Sequence, residues 1–207
     1  MTIPVAILAV VVAVVSPLLS GSFVGRSRWV VAIAATTLLV VWVWWRIGYR
    51  DSLEPLGFLA LAAFWGAATA VDVAEHRLPD PLTLIPYPLF FALQVPYAWL
   101  SDEWGRIGAA FLGSLLTSTV LFVLAYINPS GFGLGDVKLG LTTGAALGWF
   151  GVGTALLGVG AAFILMALIS ALLLVTKRIR RDSEIPFGPF MILGVLVAPF
   201  AASLLSW

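Results

Sequence analysis

Apolar runs of about 20 residues, the length that crosses a bilayer as a helix, recur along the chain with only short polar breaks between them. Hydrophobicity inside each run is continuous and does not alternate with period two, which excludes the strands of a membrane barrel. Lipid offers no partners for open backbone groups, so the spanning form is the helix. The pattern predicts about eight spans, at roughly 3–20, 29–45, 56–74, 82–100, 107–127, 137–150, 152–176 and 187–206. The sixth is short for a full crossing, and its boundary with the seventh falls at "GWFG" (148–151). The expected fold class is all-α: a polytopic transmembrane helical bundle forming a single integral membrane domain over 1–207.

Composition agrees with that class. The chain is 61% hydrophobic and 10% charged, with a mean hydropathy of +1.08; soluble domains carry roughly 25% charged residues. There is no cysteine, which removes disulfides, thiolate metal sites and thiol nucleophiles, and a single histidine, His76, makes a poor metal centre. No metal and no cofactor is expected. A net charge of +1 gives no basis for nucleic-acid binding. No Lys or Arg precedes 3–20, so that run reads as a retained span and not as a secretory signal. No internal repeat or low-complexity linker interrupts the spans.

Cations set the orientation. Arg26, Arg28, Arg77, Lys138, Lys177, Arg178, Arg180 and Arg181 fall in one set of loops, and Arg46, Arg50 and Arg106 in the other. The first set is expected to be cytoplasmic. That topology uses neither Asp72 nor Asp136, yet it brings both, 64 positions apart, to the cytoplasmic edge of the membrane.

Ionisable groups at that depth are costly, and a functional role is the first hypothesis for them. Two carboxylates brought close tend to share one proton, so one can act as general base toward water and the other as general acid. Aspartic proteases hydrolyse peptide bonds in this way. The glycines of "GFGLGDVKLG" (131–140) fit such a site. Gly133 and Gly135 can adopt φ > 0 and let backbone or substrate approach Asp136.

"GLGD" (133–136) matches the Gly-x-Gly-Asp signature of intramembrane aspartyl proteases, and "DVAEHRLPDPLTL" (72–84) resembles the first-aspartate motif of the type IV prepilin peptidase family. "IPFGPF" (185–190) is similar to a further segment of that family near the last span. The resemblance covers 56–207, with three motifs in the family's order. The Tyr-Asp pair and Pro-Ala-Leu of presenilins and signal-peptide peptidases are not evident. The resemblance implies a membrane-embedded aspartic endopeptidase with Asp72 and Asp136 as its catalytic pair. Its implied substrate is a prepilin or pseudopilin with a hydrophobic N-terminal helix, cut after a glycine to release a short basic leader. The implied location is the cytoplasmic (inner) membrane, with the active site facing the cytoplasm. Larger members carry an N-terminal cytoplasmic region, often with paired cysteines, associated with methylating the new N terminus. Here the corresponding break is "GSFVGRSR" (21–28), so the short form without that methylase region is expected.

Plainer roles compete at each position. Asp136 can cap the helix that follows it, and Asp72 can be a snorkelling or pore-facing carboxylate. Asp80, between Pro79 and Pro81, suits a turn or helix start that shapes the active-site loop. Glu75 can attract a basic leader or simply be solvated. Lys138 either biases Asp136 toward its ionised form or snorkels to headgroups. "KRIRR" (177–181) anchors topology on anionic lipid. Trp42, Trp44, Trp45, Trp99, Trp104, Trp149 and Trp207 lie near predicted outer ends, as an aromatic belt does. Two other functions fit the composition: a proton-coupled transporter using the two aspartates as a relay, and an inert assembly protein of a pilus or secretion system.

Overall fold

The computed structural model describes residues 29–47, 53–129, 132–180, 183 and 185–204. The predicted span 3–20 lies outside them. Among the described residues the structure is helical without strands: α1 (Trp29–Arg46), α2 (Pro55–Glu75), α3 (Asp80–Leu84), α4 (Pro86–Ser101), α5 (Trp104–Ile127), α6 (Leu134–Gly148), α7 (Val152–Val175) and α8 (Gly188–Leu204). Helices thus occupy the other seven predicted segments. Three of them, α2, α5 and α7, are long and apolar enough to cross a membrane, while the apolar part of α1 and all of α8 are shorter.

The segment expected as one span at 82–100 is two pieces. The five-residue α3 ends at Leu84 and α4 begins at Pro86. Pro86 and Pro88 lack the N–H groups that would bond back to Leu82 and Leu84, so the hydrogen-bond ladder breaks at Ile85 while its backbone stays helical, φ −61° and ψ −43°. The sixth predicted span is short, as its sequence suggests. α6 has 15 residues, about 22 Å at 1.5 Å per residue, against roughly 30 Å of bilayer hydrocarbon.

Burial separates the helices by role. Phe58, Leu59, Leu61, Trp65 and Val71 of α2 are enclosed in the core, whereas α7 presents Leu156, Ile164, Leu168 and Leu172 outward. A helix that is apolar all round and still exposed faces lipid. Lipid supplies no hydrophobic drive between helices, so close association depends on small residues. α5 and α6 meet at Gly113 and Gly144, where a Cβ on Gly113 would stand 2.5 Å from the Gly144 carbonyl oxygen.

At the end of the bundle where α2 starts, polar groups gather. Glu54 is buried, and its Oε1 accepts hydrogen bonds from Arg106 at 2.8 Å and from the Trp149 indole at 3.0 Å. Arg106 also pairs with Glu103 at 3.0 Å. The aromatic belt is therefore smaller than expected. Trp45, Trp99 and Trp104 are exposed, but Trp149 is core, and Trp42 is half-buried and donates to the Leu196 carbonyl. An indole that finds a buried acceptor goes inward even at a helix end. Trp207 and the side chain of Trp44 lie outside the described residues.

Candidate active site

Two antiparallel helices carry the two aspartates. Buried Trp65 on α2 donates from Nε1 to Thr142 Oγ1 on α6 at 3.0 Å. Trp65 lies seven residues before Asp72, and Thr142 six after Asp136. At 1.5 Å per residue both aspartates stand about 10 Å from that bond, one reached along α2 and the other back along α6. They arrive at one level at the same end of the bundle.

α2 ends one turn after Asp72. His76 takes a left-handed conformation, φ 51°, and its N–H closes the helix on the Asp72 carbonyl at 2.9 Å. Pro79 is extended, with φ −63° and ψ 140°, and α3 starts immediately after it. On the other side, Gly133 is the N-cap of α6 and Asp136 its third helical residue. The Gly133 N–H donates to Asp136 Oδ2 at 3.2 Å, which is the carboxylate half of a capping box. Asp136 therefore does carry the plainer capping role.

Of the two properties expected of these glycines, close approach is found at Gly135 and positive φ at neither. Gly133 has φ −84°, and among the described residues the only glycine with positive φ is Gly151. What Gly135 supplies is room: a Cβ there would be 2.9 Å from Leu78 Cβ, where the loop after α2 crosses the start of α6.

Asp72 is buried, and its Oδ2 accepts a hydrogen bond from the Gly188 N–H at 3.1 Å, 116 positions away. Gly188 opens α8, with Pro189 next. A Cβ on Gly188 would stand 2.7 Å from that same oxygen. The segment before it is fixed by an aromatic trio. Phe187 stacks on Phe163 at 4.9 Å and meets Phe132 edge-on at 5.5 Å, while Phe132 meets Phe163 at 5.8 Å.

Asp72 and Asp136 are close enough to interact electrostatically. Both line one cavity of about 590 Å3, together with His76, Leu78, Phe132, Gly133, Gly135, Ser183, Ile185 and Phe187. Each carboxylate has one oxygen held by a main-chain N–H. Among the described residues, the other oxygen of each has no hydrogen-bond partner. Two carboxylates on one cavity wall, each with a free oxygen, are groups suited to general acid–base work on a water in the cavity.

Pro79, Asp80 and Lys138 do not line this cavity. The Lys138 ammonium pairs with Asp80 at 2.5 Å, tying α6 to the start of α3. Glu75 pairs with Arg77. Sequence reasoning singled out "IPFGPF" (185–190), which holds Phe187 and Gly188, without giving either a role, and it missed Phe132 and Phe163. The signal available for Gly188 was a glycine before a proline at a predicted helix start, a place where backbone amides are unpaired.

The model of the type IV leader peptidase family matches residues 59–176, a range that holds both aspartates and stops before "IPFGPF". The chain is 30% identical over 177 residues to a prepilin leader peptidase/N-methyltransferase of Legionella pneumophila, covering 83% of this chain and 58% of that protein. A protein of the same description from Burkholderia pseudomallei is 29% identical, over 70% of this chain and 46% of its own length. One from Pseudomonas putida is 32% identical, over 78% and 54%. The chain spans about half the length of the curated relatives it matches. No solved structure matches it. From residue 59 to residue 176, and through the relatives that extend the match, the chain belongs to the type IV leader peptidase family.

Proposed function

We propose that this chain is a membrane-embedded aspartic endopeptidase that removes the short basic leader from a type IV prepilin or a related pilin-like precursor. The observation that carries it is the placement of Asp72 and Asp136 on the wall of one cavity, each tethered through one oxygen by a backbone amide. Three further features support it: family membership, the lipid-facing helices, and cation-rich loops on the side of the bundle where the aspartates lie. The transporter alternative has no such support, since both carboxylates sit at one end of the bundle and not near mid-depth.

In this mechanism the substrate's apolar helix packs in the lipid phase beside the bundle and its leader lies at the cytoplasmic interface. The scissile carbonyl enters between the two aspartates. The ionised member takes a proton from water as that water attacks the carbonyl carbon. The protonated member donates to the carbonyl oxygen, and in collapse of the tetrahedral intermediate a proton passes to the leaving nitrogen. The pair titrates as a unit, so base and acid are roles of the dyad and not of one residue. Gly188 and Gly133 serve as positioning residues, because their amides fix one oxygen of each carboxylate and leave the other for chemistry. We place about eight spans across the inner membrane with the cavity opening to the cytoplasm.

The test is cleavage of a leader-bearing prepilin in proteoliposomes, comparing wild type with Asp72→Asn and Asp136→Asn after checking insertion. Each variant is expected to lose roughly 1,000-fold or more in rate, within the range for general acid–base groups. Near wild-type cleavage by either one would show that the two-aspartate mechanism is wrong.

A further inference from the structure

We propose that a second cavity, at the end of the bundle opposite the two aspartates, binds the phosphate of a phospholipid headgroup. The cavity is about 240 Å3 and is walled by Arg46, Arg106, Glu54, Trp149, Phe150 and Thr154. That is roughly eight times the volume of a liquid water, enough for a phosphodiester group with some hydration.

Among the described residues, the two arginines at this cavity are unequally paired. Arg106 is committed to Glu54 at 2.8 Å and Glu103 at 3.0 Å, with its guanidinium 5.7 Å from the Trp149 ring centre. Arg46 is different. It is half-buried at the last residue of α1, with its guanidinium 5.1 Å from the ring centre of Phe150. Among the described residues it makes neither a hydrogen bond nor an ion pair. A guanidinium out of bulk water without a counter-ion is costly, and a planar fork held against an aromatic face is organised for bidentate phosphate binding. Arg106, its charge already answered by Glu54 and Glu103, lends N–H donors on the wall, and Thr154 contributes a buried hydroxyl.

The level of the cavity favours lipid over a free anion. Trp45 is adjacent to Arg46 and is exposed, as are Trp99 and Trp104 beside Arg106. Exposed indoles at helix ends mark the headgroup layer. An arginine that only snorkelled would extend outward to water; Arg46 instead folds over Phe150 onto the cavity. The site is independent of the chemistry at the other end of the molecule.

The experiment uses the full chain purified in detergent and three probes: short-chain phosphatidylglycerol, short-chain diacylglycerol without a headgroup, and inorganic phosphate. Native mass spectrometry counts retained lipid and calorimetry follows phosphate. Wild type is expected to retain phosphatidylglycerol over diacylglycerol. Arg46→Gln is expected to bind phosphatidylglycerol about tenfold more weakly, the size of one charge-assisted hydrogen bond, and Arg46→Lys to keep part of the difference. Inorganic phosphate binding as tightly, with the same dependence on Arg46, would overturn the lipid assignment and leave a free-anion site. Equal retention of phosphatidylglycerol by Arg46→Gln, or of diacylglycerol by wild type, would overturn the proposal outright. The second comparison needs no variant to fold.

Discussion

Trp65 and Thr142 share a buried hydrogen bond at 3.0 Å, and it joins the two helices that carry Asp72 and Asp136. α2 runs toward the cavity and α6 away from it, so a slide of one helix along the other would move the aspartates to different depths. The bond between these two side chains opposes such a slide. Thr142→Val keeps the volume but leaves the Trp65 N–H buried without an acceptor, at a cost of about 1–3 kcal/mol. The expected outcome is that loss in denaturant unfolding, together with a fall in prepilin cleavage larger than the unfolded fraction explains. Unchanged turnover with lowered stability would reduce the bond to packing.

The two glycines before Asp136 should respond differently to the same substitution. A methyl on Gly135 meets Leu78 at 2.9 Å, whereas one on Gly133 has no atom nearer than 3.8 Å and φ there is −84°. Gly135→Ala is therefore expected to lower cleavage strongly, and Gly133→Ala to stay within a few-fold of wild type. Leu78→Gly combined with Gly135→Ala should recover part of the loss, because only glycine removes the Leu78 Cβ that the new methyl meets. Equal damage from both glycine variants would argue against the steric account.

Asp80 and Lys138 form a bridge between α3 and α6 with side chains 61% and 34% exposed. Pairs this exposed contribute little, typically within about 1 kcal/mol. Asp80→Asn, Lys138→Gln and the double variant should each keep most of the cleavage rate. A double-mutant cycle should show small but measurable coupling. If Asp80→Asn matched Asp72→Asn in its loss of activity, Asp80 would belong to the chemistry.

The chain has no cysteine, so a single introduced thiol reports its own location. Ser183→Cys on the aspartate cavity should react with a membrane-impermeant maleimide only from the cytoplasmic side. Ser101→Cys, exposed at the end of α4, should react only from the other. The reverse pattern would invert the proposed orientation.

How much of this was legible in the sequence differs by kind of feature. Helix positions were legible, because continuous apolar runs and proline breaks act locally. The shared level of Asp72 and Asp136 was legible too, since cation bias fixes which helix ends lie together. Pairings that cross the bundle were not. Nothing near Lys138 announces Asp80, 58 positions earlier, and nothing near Trp149 announces Glu54, 95 positions away. A tryptophan close to a helix end therefore read as belt when it is core. Of what the glycines were expected to supply, close approach was legible but its partner, Leu78, was not, because sequence shows that a side chain is missing but not which neighbour fills the space.

The hydrogen bond from Gly188 to Asp72 has a consequence for how such a site can drift. Its donor is a peptide N–H, so a change of residue type can crowd it or, with proline, remove it, but no other side chain can take over its function. Genetic change reaches the donor chiefly through spacing. One residue inserted between Phe187 and α8 would turn a different amide toward the carboxylate, while an exchange at exposed Ser183 would leave the bond in place. The half of the site that faces α8 is written in chain length more than in the alphabet of side chains. An amide-to-ester exchange at position 188 by chemical ligation would be the most direct way to erase it.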